Sequence, residues 1–327
     1  MQDRKLIEII HPDTGNPLLE TTNGLVDADG KVAFPYSNGA YRLVSDNNYT
    51  ANFGKEWNTF AATQVDKHSS NSISEVRLFA QTKWQKGFGN GLNILEVGSG
   101  AGRFSQVILQ HTQAHLYSVD YSSAVQANYK NNGPHERLHL FQASIYDLPF
   151  APAQFDKVIC VGVLQHTPDV KKSVQSLISM VKPGGDLVID FYPVKAWYSK
   201  INAKYLLRPF TKKMNHDRLL SLIRANAGWM ISAYNFFEKI GVGKFVNRFI
   251  PICDIKRTIP SNLPYEQLKE WVVLDTFDMF SPEYDQPQKL STMKKYLEQG
   301  GFGKVEAEFV NYAEDFIAAT IRGLSKK

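Results

Sequence analysis

At 327 residues the chain can hold one large domain with additions, or two domains, around a sizeable core. Hydrophobic residues at 43% and aromatics at 12% exclude a disordered chain, and the net charge of +5 is only mildly basic. Cys160 and Cys253 stand far apart and form no CxxC, which argues against a zinc site of cysteine pairs and against a disulfide framework. The opening MQDRKLIEII carries Asp and Glu among its apolar residues and has no h-region of a secretory signal. No run of about 18 apolar residues predicts a spanning helix. A reducing cytoplasm is the expected compartment.

Residues 1–45 read as short strands and turns, with HPDTGNPL and VDADGKVAFPY supplying the Asp-Gly and Pro turn signals. Residues 46–90 predict two helices over the ligand-binding edge of the sheet that follows. Phe53, Trp57 and Phe60 fall at i, i+4, i+7 on the first, and Ile73, Val76 and Phe79 repeat the stripe on the second. Such stripes serve as core or as a ligand platform, and core is the expected use.

Asn93 to Phe104 reads NILEVGSGAGRF. Ile94, Leu95 and Val97 suit a central parallel strand buried on both faces. Gly98, Gly100 and Gly102 then allow positive φ and close approach of a ligand to backbone, and a helix N-terminus near Arg103 presents free N–H groups. An ordinary tight strand–helix turn would look similar. However, Glu96 stands two residues before the first glycine, where a dinucleotide fold needs no carboxylate. Arg103 stands where a dinucleotide fingerprint calls for a small glycine. A pyrophosphate site is disfavoured, and a cationic ligand suits Glu96 better.

Apolar runs then alternate with helical stretches, the pattern of a parallel sheet with helices on both faces. Strand 1 covers about 92–97, AHLYSVD ends at Asp120, and LHLFQAS ends near Ser144. FDKVICVGV covers about 155–163 and GDLVIDFY about 185–192. Ligands of such sheets bind beyond the carboxyl ends of the strands. Asp120 can there accept from vicinal ribose hydroxyls, or cap the helix that begins at SSAVQ.

NILEVGSGAGRF resembles motif I of the class I S-adenosylmethionine-dependent methyltransferases. The acidic end of strand 2, LPF, GVLQHT and KPGG follow in family-like order, so the resemblance covers about 93–192. It implies an α/β, seven-stranded Rossmann-like sheet of order 3-2-1-4-5-7-6, closed by a C-terminal hairpin of KVEAEFVN and FIAATIRG. It also implies S-adenosylmethionine as cofactor. Glu96, Gly98, Gly100 and Gly102 would lie beside its amino-acid end, Asp120 on the ribose and Tyr121 against the adenine. QASIYDLPF resembles the adenine-holding segment. Ser144 stands where relatives carry Asp, with Ile145 beside it and Asp147 as a substitute acceptor. Val161 and Gly162 would line the cofactor by backbone, with Gln165 and His166 directed at the reacting methyl. HPxT…NPL…FPYSNGAYRLV is similar to the zinc-ribbon-like module that precedes many bacterial methyltransferase domains. Here His11 and Thr14 replace the knuckle, no cysteine is present, and no metal is expected.

Residues 191–260 carry 13 Lys and Arg against Asp217, Glu238 and Asp254, a net +10, so the charge of the chain is concentrated here. Trp197, Tyr198, Tyr205, Phe210, Trp229, Tyr234, Phe236 and Phe237 are interleaved. This stretch suits a helical lid over an anionic substrate, an amphipathic surface on anionic lipid, or nucleic-acid binding. Equally, Leu219, Leu220, Ile223, Met230 and Ile231 suit plain helix packing. WVVLDTFDMFSPEYDQP (271–287) gathers Asp275, Asp278, Tyr284 and Asp285, which could bind sugar hydroxyls or take a proton.

The sequence thus divides into a β-rich module (1–45), a helical cover (46–90), a cofactor-binding core (91–192), a basic helical insertion (193–270) and the rest of the core (271–327). The expected activity is methyl transfer, of the EC 2.1.1 type, to a small-molecule or glycan-type acceptor, at oxygen. His166 is the expected base, with Asp278 and Tyr284 in reserve. An anionic or lipid-linked acceptor and peripheral membrane contact fit the insertion. A nicotinamide-dependent oxidoreductase is the rival that Arg103 opposes. A nucleic-acid methyltransferase is disfavoured, because GVLQHT stands where an Asn/Asp-Pro-Pro-Tyr motif would follow strand 4.

Overall fold

Five short strands begin the chain: β1 (Ile9–Ile10), β2 (Pro17–Thr21), β3 (Gly24–Val26), β4 (Val32–Ser37) and β5 (Ala40–Arg42). They come from a computed structural model that describes residues 7–68, 71–194, 201–313 and 316–326. Successive strands pair antiparallel. Asn38 and Gly39, both at positive φ, make the two-residue turn between β4 and β5, the geometry that matches strand twist.

Two helices follow, α1 (Ala51–Thr59) and α2 (Ile73–Thr82), and then the alternating core. It comprises β6 (Asn93–Val97), α3 (Arg103–His111), β7 (His115–Asp120), α4 (Val125–Asn132), β8 (Leu138–Gln142), β9 (Phe155–Cys160), α5 (Val170–Met180) and β10 (Val181–Phe191). The insertion holds α6 (Ala203–Thr211), α7 (His216–Lys239), α8 (Gly243–Val246), α9 (Ile255–Thr258) and α10 (Tyr265–Phe280). The chain closes with α11 (Leu290–Gln299), β11 (Phe302–Ala313) and β12 (Phe316–Ser325).

The core strands lie in the order β8-β7-β6-β9-β10-β12-β11. Those from β8 to β10 are parallel, and β12 enters antiparallel between β10 and β11. Numbered within this core alone, the order reads 3-2-1-4-5-7-6. β6 is buried along its whole length. Ile94 packs with Val107 and Ile108 of α3 on one face, and Leu95 and Val97 join the core that holds Val174, Leu177 and Met293 on the other. That two-sided burial is why NILEV is nearly unbroken apolar sequence. KPGG is a register shift between Val181 and Asp186 in β10, with Gly184 at φ +76°, so the strand assigned there starts earlier than the expected 185.

The N-terminal strands extend the main sheet: β5 pairs parallel with β8 (Tyr41 opposite Phe141), and Ile9, Leu18 and Leu25 share the core with Tyr117 and Phe141. At the supposed knuckle, the His11 ring packs on Phe34 and its Nδ1 accepts from the Asp13 N–H. On α2 the inward residues are Ser74, Leu78 and Gln81, while Val76 is exposed. Polar contacts to the sheet edge, described below, set that face. Finally, α10 belongs with the insertion. Val273, Leu274 and Phe277 pack on Leu219, Leu220 and Ile223 of α7, and Phe60 from the end of α1 joins them. Lys195, Trp197, Tyr198 and Lys200 lie outside the described residues.

Candidate active site

The glycine turn after β6 is shaped by what surrounds it. Gly98, Gly100 and Gly102 have φ of +81°, +52° and +82°. A Cβ on Gly98 would stand 2.1 Å from Val163 Cγ2, and one on Gly102 would stand 2.2 Å from Asn128 Oδ1. Neither space nor backbone admits a side chain there. The Gly98 N–H donates to the Val119 carbonyl (2.7 Å) and the Gly100 N–H to Asp120 Oδ2 (2.8 Å), which locks the turn to the end of β7.

Asp120 therefore works on protein first. Its Oδ1 accepts from the Ser122 N–H (2.9 Å) and hydroxyl (2.7 Å) in the turn before α4, whose N-cap, Ala124, has no side-chain cap, so Asp120 is not the helix cap of the alternative reading. Three of its four or so acceptor positions are used, and the carboxylate lines the cleft with capacity to spare. Tyr121 lines the cleft beside it, its ring 5.2 Å from that of Tyr49. Ile145, Val161 and Gly162 line the cleft as well, and Gly162, at φ +78°, faces open space.

Two cofactor residues expected from sequence are placed elsewhere. Glu96 is 3% exposed and does not line the cleft. Strand alternation turns it toward α3, where its Oε2 accepts from the Ser105 and Ser118 hydroxyls. Burial pushes its pKa up to about 7. Ser144 turns back to accept from the Tyr146 N–H (3.1 Å), so its neighbours Ala143 and Ile145 face the cleft instead. Asp147, the substitute, is exposed.

A polar network lies under the rim. Asp190, at the end of β10, accepts from Arg77 (2.6 Å) and Gln81 (2.8 Å) of α2 and from the Gly162 N–H. Arg103 donates to Gln64 Oε1 (2.6 Å) and Ser74 Oγ (3.1 Å), and Gln64 in turn donates to Asp275 Oδ1 (3.0 Å). Burial and the neighbouring Arg77 lower the Arg103 pKa to about 10, so it stays cationic at neutral pH.

His166 closes a short 3-10 turn, Leu164–His166, after β9. Its ring lines the cleft against Phe53 (5.1 Å) and Tyr192 (5.6 Å). Nδ1 lies 3.1 Å from the Tyr284 carbonyl. A carbonyl only accepts, so Nδ1 carries the hydrogen and the lone pair of the neutral ring is on Nε2. Burial holds the imidazole pKa below its ordinary 6.5, against the pull of Asp278. Asp278 lines the same cleft and accepts from the Tyr192 hydroxyl (3.4 Å). Tyr284 contributes its carbonyl rather than its hydroxyl, and its ring packs edge-on against Tyr49 rather than lining the cleft. Gln165 is fully buried and faces away, because the 3-10 turn rotates it from its neighbour.

Glu56 escaped sequence reasoning. It is fully buried, lines the cleft, and neither carboxylate oxygen has a hydrogen-bond partner among the described residues. Burial, with Asp278 and Asp275 nearby, pushes its pKa well up. The available signal was an acidic residue inside the stripe of Phe53, Trp57 and Phe60. That stripe is itself split, since Phe60 is core while Phe53 and Trp57 line the cleft.

The cleft has a volume of about 1520 Å³, beyond the roughly 300–1,000 Å³ of single-ligand pockets, so it has room for two ligands. Its donor set fits S-adenosylmethionine: an acceptor for a ribose diol at Asp120, aromatic and apolar surface at Tyr121 and Ile145, and a cation for a carboxylate at Arg103. Among the described residues no cluster of three His, Cys, Asp or Glu could hold a metal.

Residues 95–189 match the Methyltransferase domain family. An uncharacterized protein of Synechococcus is 33% identical over 104 residues, 30% of this chain and 25% of that protein. A ubiquinone biosynthesis O-methyltransferase of Coxiella burnetii is 29% identical over 132 residues, 39% of this chain and 56% of that enzyme. The chain thus spans between a quarter and just over half the length of these relatives. A solved structure of human N-acetylserotonin methyltransferase with S-adenosylmethionine overlaps at a TM-score of 0.44 and 13% identity. The overlap covers 87% of this chain and 61% of that one, a likeness too slight to weigh. The family match falls on the strands and turns that build the cleft, and residues 95–189 are a methyltransferase domain.

Proposed function

We propose that the chain transfers the methyl group of S-adenosylmethionine to a hydroxyl oxygen of a small-molecule or glycan-type acceptor. His166 carries this reading. When bound, the cofactor supplies a methyl already made electrophilic by its sulfonium. The protein has then to hold the acceptor in line and take its proton. A neutral imidazole, fixed through Nδ1 on the Tyr284 carbonyl and presenting the Nε2 lone pair, is equipped to take that proton. Asp278 and Glu56 line the same cleft. An ionised carboxylate accepts from hydroxyls, and a neutral one can both donate and accept, which suits a polyhydroxylated acceptor. The similarity to an O-methyltransferase of ubiquinone biosynthesis supports oxygen as the methylated atom.

The test is to offer methyl-labelled S-adenosylmethionine with a cell extract, then locate the labelled carbon in the product by mass spectrometry. A methyl ether is expected, and a methyl ester would point to a carboxylate instead. Label on nitrogen, on carbon or in nucleic acid would overturn the hydroxyl assignment, and binding of NAD in place of S-adenosylmethionine would overturn the whole reading.

A further inference from the structure

The insertion buries one face of α7 and leaves a second apolar stripe in the open. Leu219, Leu220, Ile223, Ala227, Met230 and Ile231 face the core. Leu222, Trp229 and Phe236 recur at seven-residue spacing on another side and are 47%, 55% and 57% exposed. The stripe continues through Ile240 into the corner where α7 meets α8, ending on Phe245 (69% exposed) and Phe249 (54%). Exposed aromatics grouped in this way call for a covering phase.

Charge selects that phase. Lys204 and Lys212 have carboxylate partners in Asp285 and Glu283. Lys239 and Lys244 are exposed on the same corner and make no ion pair among the described residues. Residues 191–260 carry +10 in a chain of +5. A second copy seated here would set like charge against like charge, whereas an anionic lipid surface would meet opposite charge. No helix among the described residues is long and apolar enough to cross a membrane, so the contact is interfacial.

We propose that the α7–α8 corner rests on the surface of an anionic lipid bilayer. Trp229, Phe236, Phe245 and Phe249 enter the headgroup layer, and Lys239 and Lys244 lie against lipid phosphates. Aromatic and basic residues together on a helix face suit that boundary. The contact needs neither cofactor nor acceptor, so it stands or falls apart from the catalytic reading.

Sedimentation of the full chain with vesicles tests it. Phosphatidylcholine vesicles made about one-third phosphatidylglycerol should bind the protein at least about tenfold more tightly than pure phosphatidylcholine, and the gain should fade as salt shortens the screening length. The pairs Phe245→Ser/Phe249→Ser and Lys239→Glu/Lys244→Glu should each cost about tenfold in partitioning. All four positions lie off the buried core, and circular dichroism checks the fold. The difference in emission between wild type and Trp229→Phe should shift to the blue on vesicles. No sedimentation with anionic vesicles, or equal binding by the variants, would overturn the proposal. So would a dimer in lipid-free solution that Phe245→Ser/Phe249→Ser dissolves, because a second copy would then cover the face.

Discussion

The glycine turn and α7 solve opposite problems. Around Gly98 the chain is constrained atom by atom, with positive φ, a valine methyl where a Cβ would sit, and the turn's N–H groups committed to Val119 and Asp120. In α7, Gly228 has only the Tyr265 hydroxyl, 3.8 Å from a would-be Cβ. There the helix is fixed by one buried stripe and an Asn215 cap that accepts from the Asp217 and Arg218 N–H groups. A backbone fixed by local geometry tolerates little change. A helix fixed by a stripe tolerates most changes off the stripe, and so can adapt its outer face to an acceptor or a surface.

Substitutions can break or sharpen that contrast. The largest effect belongs to chemistry. His166→Ala should lower kcat by roughly 10²–10⁴-fold with cofactor affinity kept, measured by turnover and by calorimetry with S-adenosylmethionine. In the wild type the acid limb of the rate should lie below pH 6.5, because burial lowers the His166 pKa and protonation removes the base. Next comes the turn. Gly98→Ala should cost about 2–4 kcal/mol in thermal or urea denaturation, from forced positive φ plus overpacking, and should weaken cofactor binding. Gly228→Ala should do the reverse and stabilise by about 0.5–1 kcal/mol, through helix propensity alone. If the two glycines respond alike, the contrast fails.

A subtler effect concerns buried carboxyls. The Glu96 pKa is raised by burial to about 7 from 4.5, and that of Asp275 to about 7 from 3.8. Each is neutral in the folded protein over a range where the unfolded chain is ionised. Their contribution to stability is full below the unfolded value and is lost as pH rises through about 7. Glu96→Gln should therefore flatten the fall in ligand-free stability between about pH 5 and 8, by on the order of 1–3 kcal/mol. A denaturation series over that range measures it. An unchanged slope would place the titration elsewhere.

The cleft walls were legible where backbone conformation carries the function. Three glycines, an acid at the end of β7 and Gly162 each need a residue type that only one kind of position accepts. Side-chain direction was not legible. Glu96 and Ser144 have the right types in the right places, yet one points under the turn to two serines and the other caps its own loop. Val76 fell on the predicted stripe, but α2 rotates to bring Arg77 and Gln81 to Asp190, a partner more than a hundred residues away. Glu56 was hidden because its role depends on α10 arriving across from α1.

Sequence by itself determined the alternation of strand and helix, the glycine turn, the acidic strand end and the cationic insertion. Each of these is written in local φ preference, apolar periodicity or net charge, which neighbours in sequence settle among themselves. Tertiary structure alone decided that the N-terminal strands extend the main sheet and that α10 joins α7. It also decided that His166 is held by the Tyr284 carbonyl. These features depend on partners far off in the chain, and burial rather than residue type fixes which way each side chain faces and whether it carries charge.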